Sequence, residues 1–257
     1  PLSDAQIARF REDGFILLRD VLPGAELSRW RQIIGDAVRA HNNEQRPLAE
    51  RDTYGQAFLQ TINLWRVASE VRPFVFGRRL AGIARQLLGT AGVRIYHDQA
   101  LFKEPGGGHT PWHADQFYWP LASELTVTAW VPLVPVTADM GPLGFSAGSQ
   151  KLLGGRGYEI SDESDAAIEA MLDEAGLPLI AEPFDLGDVS FHYGWTYHRA
   201  DANRTDRARD IMTMIYMDSD MRLAEPANDS QRADRASWVP GIAVGEVCAS
   251  ELNPLVG

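Results

Sequence analysis

The texture of the chain changes at Val93, and that change constrains the fold more than any other feature of the sequence. Beyond it come short β-type runs broken by Gly and Pro, near 93–103, 112–118, 125–133, 143–146, 179–185, 188–193 and 209–218. Short strands at irregular spacing, after a helical opening section, predict a mainly β fold with flanking helices: a double-sheet barrel with the helices on one side. In the opening section Ser3 and Gln6 form a capping-box pattern, Ile7 and Phe10 an apolar stripe, and Gly14 a stop, so 3–13 reads as a helix. Phe15-Ile16-Leu17-Leu18 reads as a buried strand. Pro23-Gly24 turns the chain into a second helix, about 25–41, with Leu27, Trp30, Ile34 and Val38 on one face. Residues 42–60 are polar and irregular. A third helix is predicted over 72–88, ending at Gly89, with Gly77 and Gly82 weakening its first half.

One stretch departs from the β pattern. Residues 157–178 place Asp162, Glu163, Asp165, Glu169, Asp173 and Glu174 around Ile168, Met171 and Leu172, an acidic helical insertion. It reads first as a solvated helix face, with a mobile lid as the alternative. No internal repeat or linker interrupts the chain. One domain is therefore expected over 1–257: a helical section to about 92, a β core over 93–218 and a tail over 219–257. That tail could pack on its own barrel, close over a site or pair with another chain.

Composition narrows the partners. Residues 1–103 carry fifteen basic and eleven acidic side chains, about +4, whereas 104–257 carry nine and twenty-four, about −15. A nucleic-acid reader needs a basic face, and the larger part has the wrong sign. No apolar run approaches the ~20 residues of a spanning helix, and the opening residues lack the order of a signal peptide. With Cys248 as the one cysteine, no internal disulfide or multi-thiolate metal site can form. A cytoplasmic protein acting on a small molecule, without nucleic acid or membrane, is expected. The sequence carries no signal for oligomeric state.

The chemistry concentrates in two places. In Pro111-Trp112-His113-Ala114-Asp115-Gln116, a strand would put His113 and Asp115 on one face, giving two of the three ligands of a 2-His-1-carboxylate triad. The competing reading is a buried, hydrogen-bonded histidine. Some eighty residues on, the run Trp195-Thr196-Tyr197-His198-Arg199 places His198 where a later strand could return to the first pair. Arg209 opens the apolar strand Ile211-Met212-Thr213-Met214-Ile215-Tyr216. A buried arginine there needs an anion, and its planar fork matches a carboxylate. A 2-oxoacid with a distal carboxylate could chelate iron at one end and meet Arg209 at the other.

Taken in order, these segments resemble the phytanoyl-CoA dioxygenase family of Fe(II)- and 2-oxoglutarate-dependent oxygenases, over about Phe10 to Asp218. The resemblance is carried by Phe10-Arg11-Glu12-Asp13-Gly14-Phe15, Leu101-Phe102-Lys103-Glu104-Pro105-Gly106, Thr128-Ala129-Trp130-Val131-Pro132 and Met140-Gly141-Pro142-Leu143. Gly148-Ser149-Gln150-Lys151, Gly187-Asp188-Val189 and the interval from His198 to Arg209 complete it. It implies a double-stranded β-helix (jelly-roll, cupin-like) core with Fe(II) on His113, Asp115 and His198. It also implies 2-oxoglutarate as cosubstrate with its distal carboxylate on Arg209, O₂ as oxidant, and cosubstrate positions at Gln99 and Trp130. Related halogenases replace the carboxylate ligand with a small residue, so Asp115 implies hydroxylation or another oxidation.

The same triad would serve oxidative cyclisation, epimerisation or rearrangement. A catalytically silent jelly-roll binding protein and a zinc hydrolase are rivals that leave Arg209 without a role. Tyr96, Phe102, Trp112, Phe117, Tyr118, Trp119, Met140 and Phe145 lie near the expected mouth and predict an apolar or aromatic pocket, about half of them being core instead. The acidic C-terminal part argues against a coenzyme A thioester and for a secondary-metabolite substrate. Among the other histidines, His41 reads as surface, His97 as core or pocket, and His192 as a competing ligand. His109 follows three glycines, which with Pro111 deny it a helical metal pair with His113. Cys248 reads as inert in a polar tail.

Overall fold

A computed structural model describes residues 1–256. The elements run α1 (Asp4–Asp13), β1 (Phe15–Leu18), α2 (Gly24–His41), α3 (Thr53–Ala57), β2 (Leu59–Ile62), α4 (Leu64–Val67), α5 (Arg72–Val75) and α6 (Arg78–Leu88). There follow β3 (Val93–Lys103), β4 (Thr110–His113), β5 (Thr126–Pro132), β6 (Leu143–Ser146), α7 (Asp162–Glu174), β7 (Leu179–Ala181), β8 (Val189–Tyr193), β9 (His198–Ala200), β10 (Arg209–Asp218), α8 (Asp229–Trp238) and β11 (Leu255–Val256). One sheet has the order β1-β8-β5-β10-β3-β11, with β2 also on β3; the other has the order β4-β9-β6-β7. Every pairing is antiparallel, and residues of both sheets line one cavity. This is the expected jelly-roll core with flanking helices. No helix among the described residues is long and apolar enough to cross a membrane.

Strand alternation divides the core in two. On β10, Met212, Met214 and Tyr216 join Leu27, Ile34 and Leu80 in the layer between the large sheet and the helices. The alternate residues Arg209 and Thr213 face the cavity instead. On β3, His97, Gln99 and Leu101 face the same way. Pairing of β3 with β10 slips between Ile215 and Tyr216, which lie opposite His97 and Ile95. The skipped residue, Tyr96, is a bulge, so Tyr96 and His97 do not alternate regularly between the faces.

Several expectations change. The helix over 72–88 is broken: α5 stops at Val75, and Gly77, extended at φ −62 and ψ 121, precedes α6. The polar stretch 42–60 contains α3 and the start of β2, which docks on β3. The strand over 112–118 ends at His113, and Asp115–Tyr118 forms a 3₁₀ turn. The strand over 179–185 stops at Ala181, leaving Phe184 in an isolated bridge to Val136.

The acidic insertion is a helix as expected, α7, with Ile168 and Leu172 packed against Trp112, Ala114 and Tyr197 and most of its carboxylates exposed. Asp165 on α7 accepts the Trp112 N–H at 2.6 Å, fastening the helix to β4. The tail packs on its own barrel: β11 pairs with β3, and Asn253 donates to the Ile95 and Tyr96 carbonyls. Cys248 is not in a polar environment. It is wholly buried beside Tyr96, Trp119 and Met221, and burial pushes its thiol up to about 11.

Candidate active site

Pairing of β4 with β9 sets His113 directly opposite His198. Their ring centroids are 4.2 Å apart. Each ring is pinned from behind: His113 Nδ1 lies 2.8 Å from the Pro111 carbonyl and His198 Nδ1 2.9 Å from that of Thr196. A carbonyl accepts only, so both Nδ1 atoms donate and both Nε2 atoms are left facing the cavity. They meet one carboxylate oxygen, Asp115 Oδ1, at 3.5 Å from His113 and 3.6 Å from His198. The three potential ligand atoms lie within 4.8 Å of one another. The sequence predicts His113 and Asp115 on one face of a strand. The structure brings them together differently, through the 3₁₀ turn that swings Asp115 back under the end of β4.

The second oxygen of Asp115 is held by Thr128, for which the sequence predicts no role of its own, and by His192, expected as a competing ligand. Thr128 Oγ1 donates to Oδ2 at 3.2 Å, and His192 Nε2 lies 3.3 Å from it. His192 is thus a partner of the carboxylate and lies outside the group of three. Burial works to raise the Asp115 carboxyl, but His198, His113 and His192 together hold it well below the usual carboxylate range. Burial and the neighbouring His113 hold His198 well below the usual imidazole range. An ionised carboxylate is the state a divalent metal requires of such a ligand.

Arg209 is 1% exposed, and among the described residues it has no carboxylate partner. Its Nη1 donates to the Gly141 carbonyl, its Nε is buried without a partner, and its guanidinium stands 5.5 Å from the Trp130 ring. Burial pulls it down to about 9. Lys103, paired with it across the strands, is satisfied by the Gly108 and Asp201 carbonyls at 2.6 and 3.0 Å. Burial, and then Arg209 itself, push Lys103 down to about 6. Arg209 therefore remains the strong uncompensated cation at this end.

Gly141, whose carbonyl takes the Arg209 N–H, has no room for a side chain, since at φ 69 a Cβ would stand 2.0 Å from the Asp201 carbonyl oxygen. Gly141→Ala is expected to lower the unfolding free energy by about 2–4 kcal/mol, measured by denaturant titration.

The cavity encloses about 370 Å³ and is lined by the three clustered residues, Arg209, Gln99 and Trp130 alike. Gln99 accepts from Gln60 Nε2 at 2.7 Å, which leaves its own amide N–H free to donate. Of the eight side chains expected at the mouth, only Tyr118 and Trp119 line the cavity. Phe102, Trp112, Met140 and Phe145 fill apolar clusters, Tyr96 packs with Cys248, and Phe117 is buried. Their places are taken by Tyr54, Phe58 and Ile62 from the stretch around α3 and β2, and by Asp234 and Trp238 from α8. No motif marks those residues. His97 lines the cavity, whereas His41 is exposed and His109 lies half-exposed, 3.8 Å from Asp165.

A jelly roll with two imidazole nitrogens and one carboxylate oxygen converging between its sheets, and a buried arginine in the same cavity, defines the class of iron- and 2-oxoglutarate-dependent oxygenases. The family described as phytanoyl-CoA dioxygenase (PhyH) matches residues 10–211, and this chain belongs to it. Ectoine dioxygenase of Halomonas elongata is 26% identical over 255 residues, spanning 91% of this chain and 76% of its own. The crystal structure of SnoK, a non-haem alpha-ketoglutarate-dependent carbocyclase of nogalamycin biosynthesis, matches with a TM-score of 0.80 at 27% identity, over 100% of this chain and 97% of that one. The epimerase SnoN, in complex with Fe3+, alpha ketoglutarate and nogalamycin RO, matches with a TM-score of 0.78 at 25% identity, over 98% and 97%. The chain is an Fe(II)/2-oxoglutarate-dependent dioxygenase, with iron and 2-oxoglutarate as its cofactors.

Proposed function

We propose that this dioxygenase oxidises a small, largely apolar or aromatic secondary metabolite, with His113, Asp115 and His198 holding the iron. Hydroxylation with release of succinate and CO₂ is the leading reaction. The observation that carries the assignment is the convergence of three ligand atoms within 4.8 Å, both histidines locked through Nδ1. The buried, anion-free Arg209 in the same cavity supplies the place for a dicarboxylate.

Iron held there supplies the O₂ and one-electron chemistry that side chains cannot perform. The protein's own part is orientation. Arg209 takes the distal carboxylate of 2-oxoglutarate through its unpaired Nε edge, Trp130 walls the cosubstrate, and the free Gln99 amide donates to it. Thr128 and His192 fix the Asp115 carboxylate so that Oδ1 faces the metal position. Tyr118, Trp119 and Phe58 exclude water from the space left for substrate. The likeness to a carbocyclase at 27% identity and an epimerase at 25% favours a second reading, oxidative ring closure or epimerisation at the same iron.

Anaerobic addition of Fe(II) and 2-oxoglutarate should produce a weak visible charge-transfer band, and aerobic turnover should release succinate. A chain that binds neither, or that works on a hydrolysable substrate without O₂, defeats the proposal. His192→Ala should leave all three ligands in place yet lower iron affinity by about 10–100-fold, the usual consequence of losing an outer partner of a metal ligand. Titration with Fe(II) under anaerobic conditions reads this directly.

A further inference from the structure

The cavity has two ends. Arg209, Thr213 and Ile215 follow one another along β10, with His97 opposite Ile215. Six residues of strand separate Arg209 from that point, about 20 Å at ~3.3 Å per residue. The cosubstrate end is cationic, and the far end is its opposite. Asp234 and Glu159 line the cavity together with Asp115, while Arg209 is the one Lys or Arg among the lining residues. Tyr118 lines the same space; its hydroxyl accepts the Ile160 N–H at 3.1 Å, and burial pushes it up to about 12 against that hydrogen bond.

Neither Asp234 nor Glu159 has a basic partner among the described residues. Asp234 Oδ2 accepts from the Tyr96 hydroxyl at 3.0 Å, and Glu159 Oε1 from Ser230 Oγ at 2.7 Å. Beside them lies His97, 3% exposed, with Nδ1 buried and unpartnered. Its ring stands 5.0 Å from that of Tyr96 and 5.5 Å from that of Trp238, one helical turn beyond Asp234. Burial pulls His97 down to about 4, so its ring is neutral and can accept an N–H. Trp119 and Trp238 add aromatic faces to the same space. Carboxylate, neutral imidazole and indole together are the chemistry that recognises an ammonium group.

Charge balance points the same way. Iron would offset Asp115, and Arg209 would offset part of the cosubstrate; Glu159 is exposed to solvent, whereas burial pushes the Asp234 carboxyl up to about 7. An ammonium group placed against Asp234 would draw it back to the ionised form, which a neutral polyol would not. Resting on the oxygenase reading above, we infer that the substrate carries a protonated amine, and that Asp234, with Glu159 at the rim and His97 behind, receives it.

The test compares 2-naphthylmethylamine, 2-naphthylmethanol and 2-naphthoate, which share one ring system and differ in charge. Binding is measured by calorimetry on holoenzyme assembled anaerobically with Fe(II) and 2-oxoglutarate. The amine should bind at least about tenfold more tightly than the alcohol, and the carboxylate most weakly. Asp234→Asn retains an acceptor for Tyr96 and should remove most of that preference. Glu159→Gln, at an exposed position where folding is not at stake, should reduce it by about twofold to threefold. An amine that binds no better than the alcohol, or a preference that survives both substitutions, overturns the inference. Failure of the oxygenase reading registers separately, as a missing charge-transfer band before any probe is added.

Discussion

Asp115→Ala is expected to eliminate iron binding and turnover together, a loss well beyond the roughly 10–100-fold that an outer partner costs. Asp115 is the hub of the cluster: its Oδ1 faces both His113 and His198, and its Oδ2 gathers Thr128 and His192. Removing it leaves two imidazoles with no charged ligand, and a hard divalent cation then lacks its strongest partner. The folded state should survive, because the carboxylate gathers polar groups and fills no apolar core. Asp115→Asn isolates the charge, since an amide retains an acceptor for Thr128 while losing the anion. Anaerobic Fe(II) titration and succinate release, read beside the melting temperature of the metal-free protein, check both variants. Retained iron binding at native affinity in Asp115→Ala would remove this residue from the ligand set.

Arg209→Met should separate cosubstrate binding from metal binding. The guanidinium is buried without an anion, so in the free protein it is a charge whose solvation has been lost with little return. Replacing it with a flexible apolar side chain should leave the melting temperature of the free protein level or higher. The effect on 2-oxoglutarate should be the reverse. Losing a charge-assisted, two-pronged contact in a buried site costs about 2–4 kcal/mol, or roughly 30- to 1000-fold in affinity. Wild-type protein should melt higher with saturating 2-oxoglutarate, and the variant should lose that increment while still binding Fe(II). Loss of iron instead would show that Arg209 supports the triad rather than the cosubstrate.

The legibility of the site in the sequence follows from how local each signal is. His113 and Asp115 are two residues apart, so any compact conformation of that segment keeps them close. The expected strand face was the wrong conformation, and the pair survived the error. Arg209 was legible because an arginine opening the run Ile211 to Tyr216 conflicts with its surroundings, and such conflicts mark function. His192 was harder. Its partner, Asp115, is 77 residues away on the turn after β4, and the pairing of β5 with β8 sets His192 opposite Thr128, the other residue that holds that carboxylate.

The far end of the cavity was legible only in Tyr118, Trp119 and His97. Tyr96, Phe102 and Trp112 had the composition of a pocket, yet strand alternation and the bulge at Tyr96 turned them into core. Asp234 and Trp238 come from a tail with no motif, and α8 is held at the cavity by contacts far apart in the chain, Asp234 with Tyr96 and Gln231 with the Phe117 carbonyl.

By itself the sequence determined the class of core, through short strands after a helical opening, and the closeness of His113 to Asp115, through a spacing of two. Both depend on local periodicity and local steric limits. Tertiary structure decided which of two faces each strand residue shows, which oxygen of Asp115 faces the histidines, and which charges meet at the far end of the cavity. Those outcomes depend on register between strands far apart in the chain, where a slip of one residue exchanges the core and the cavity.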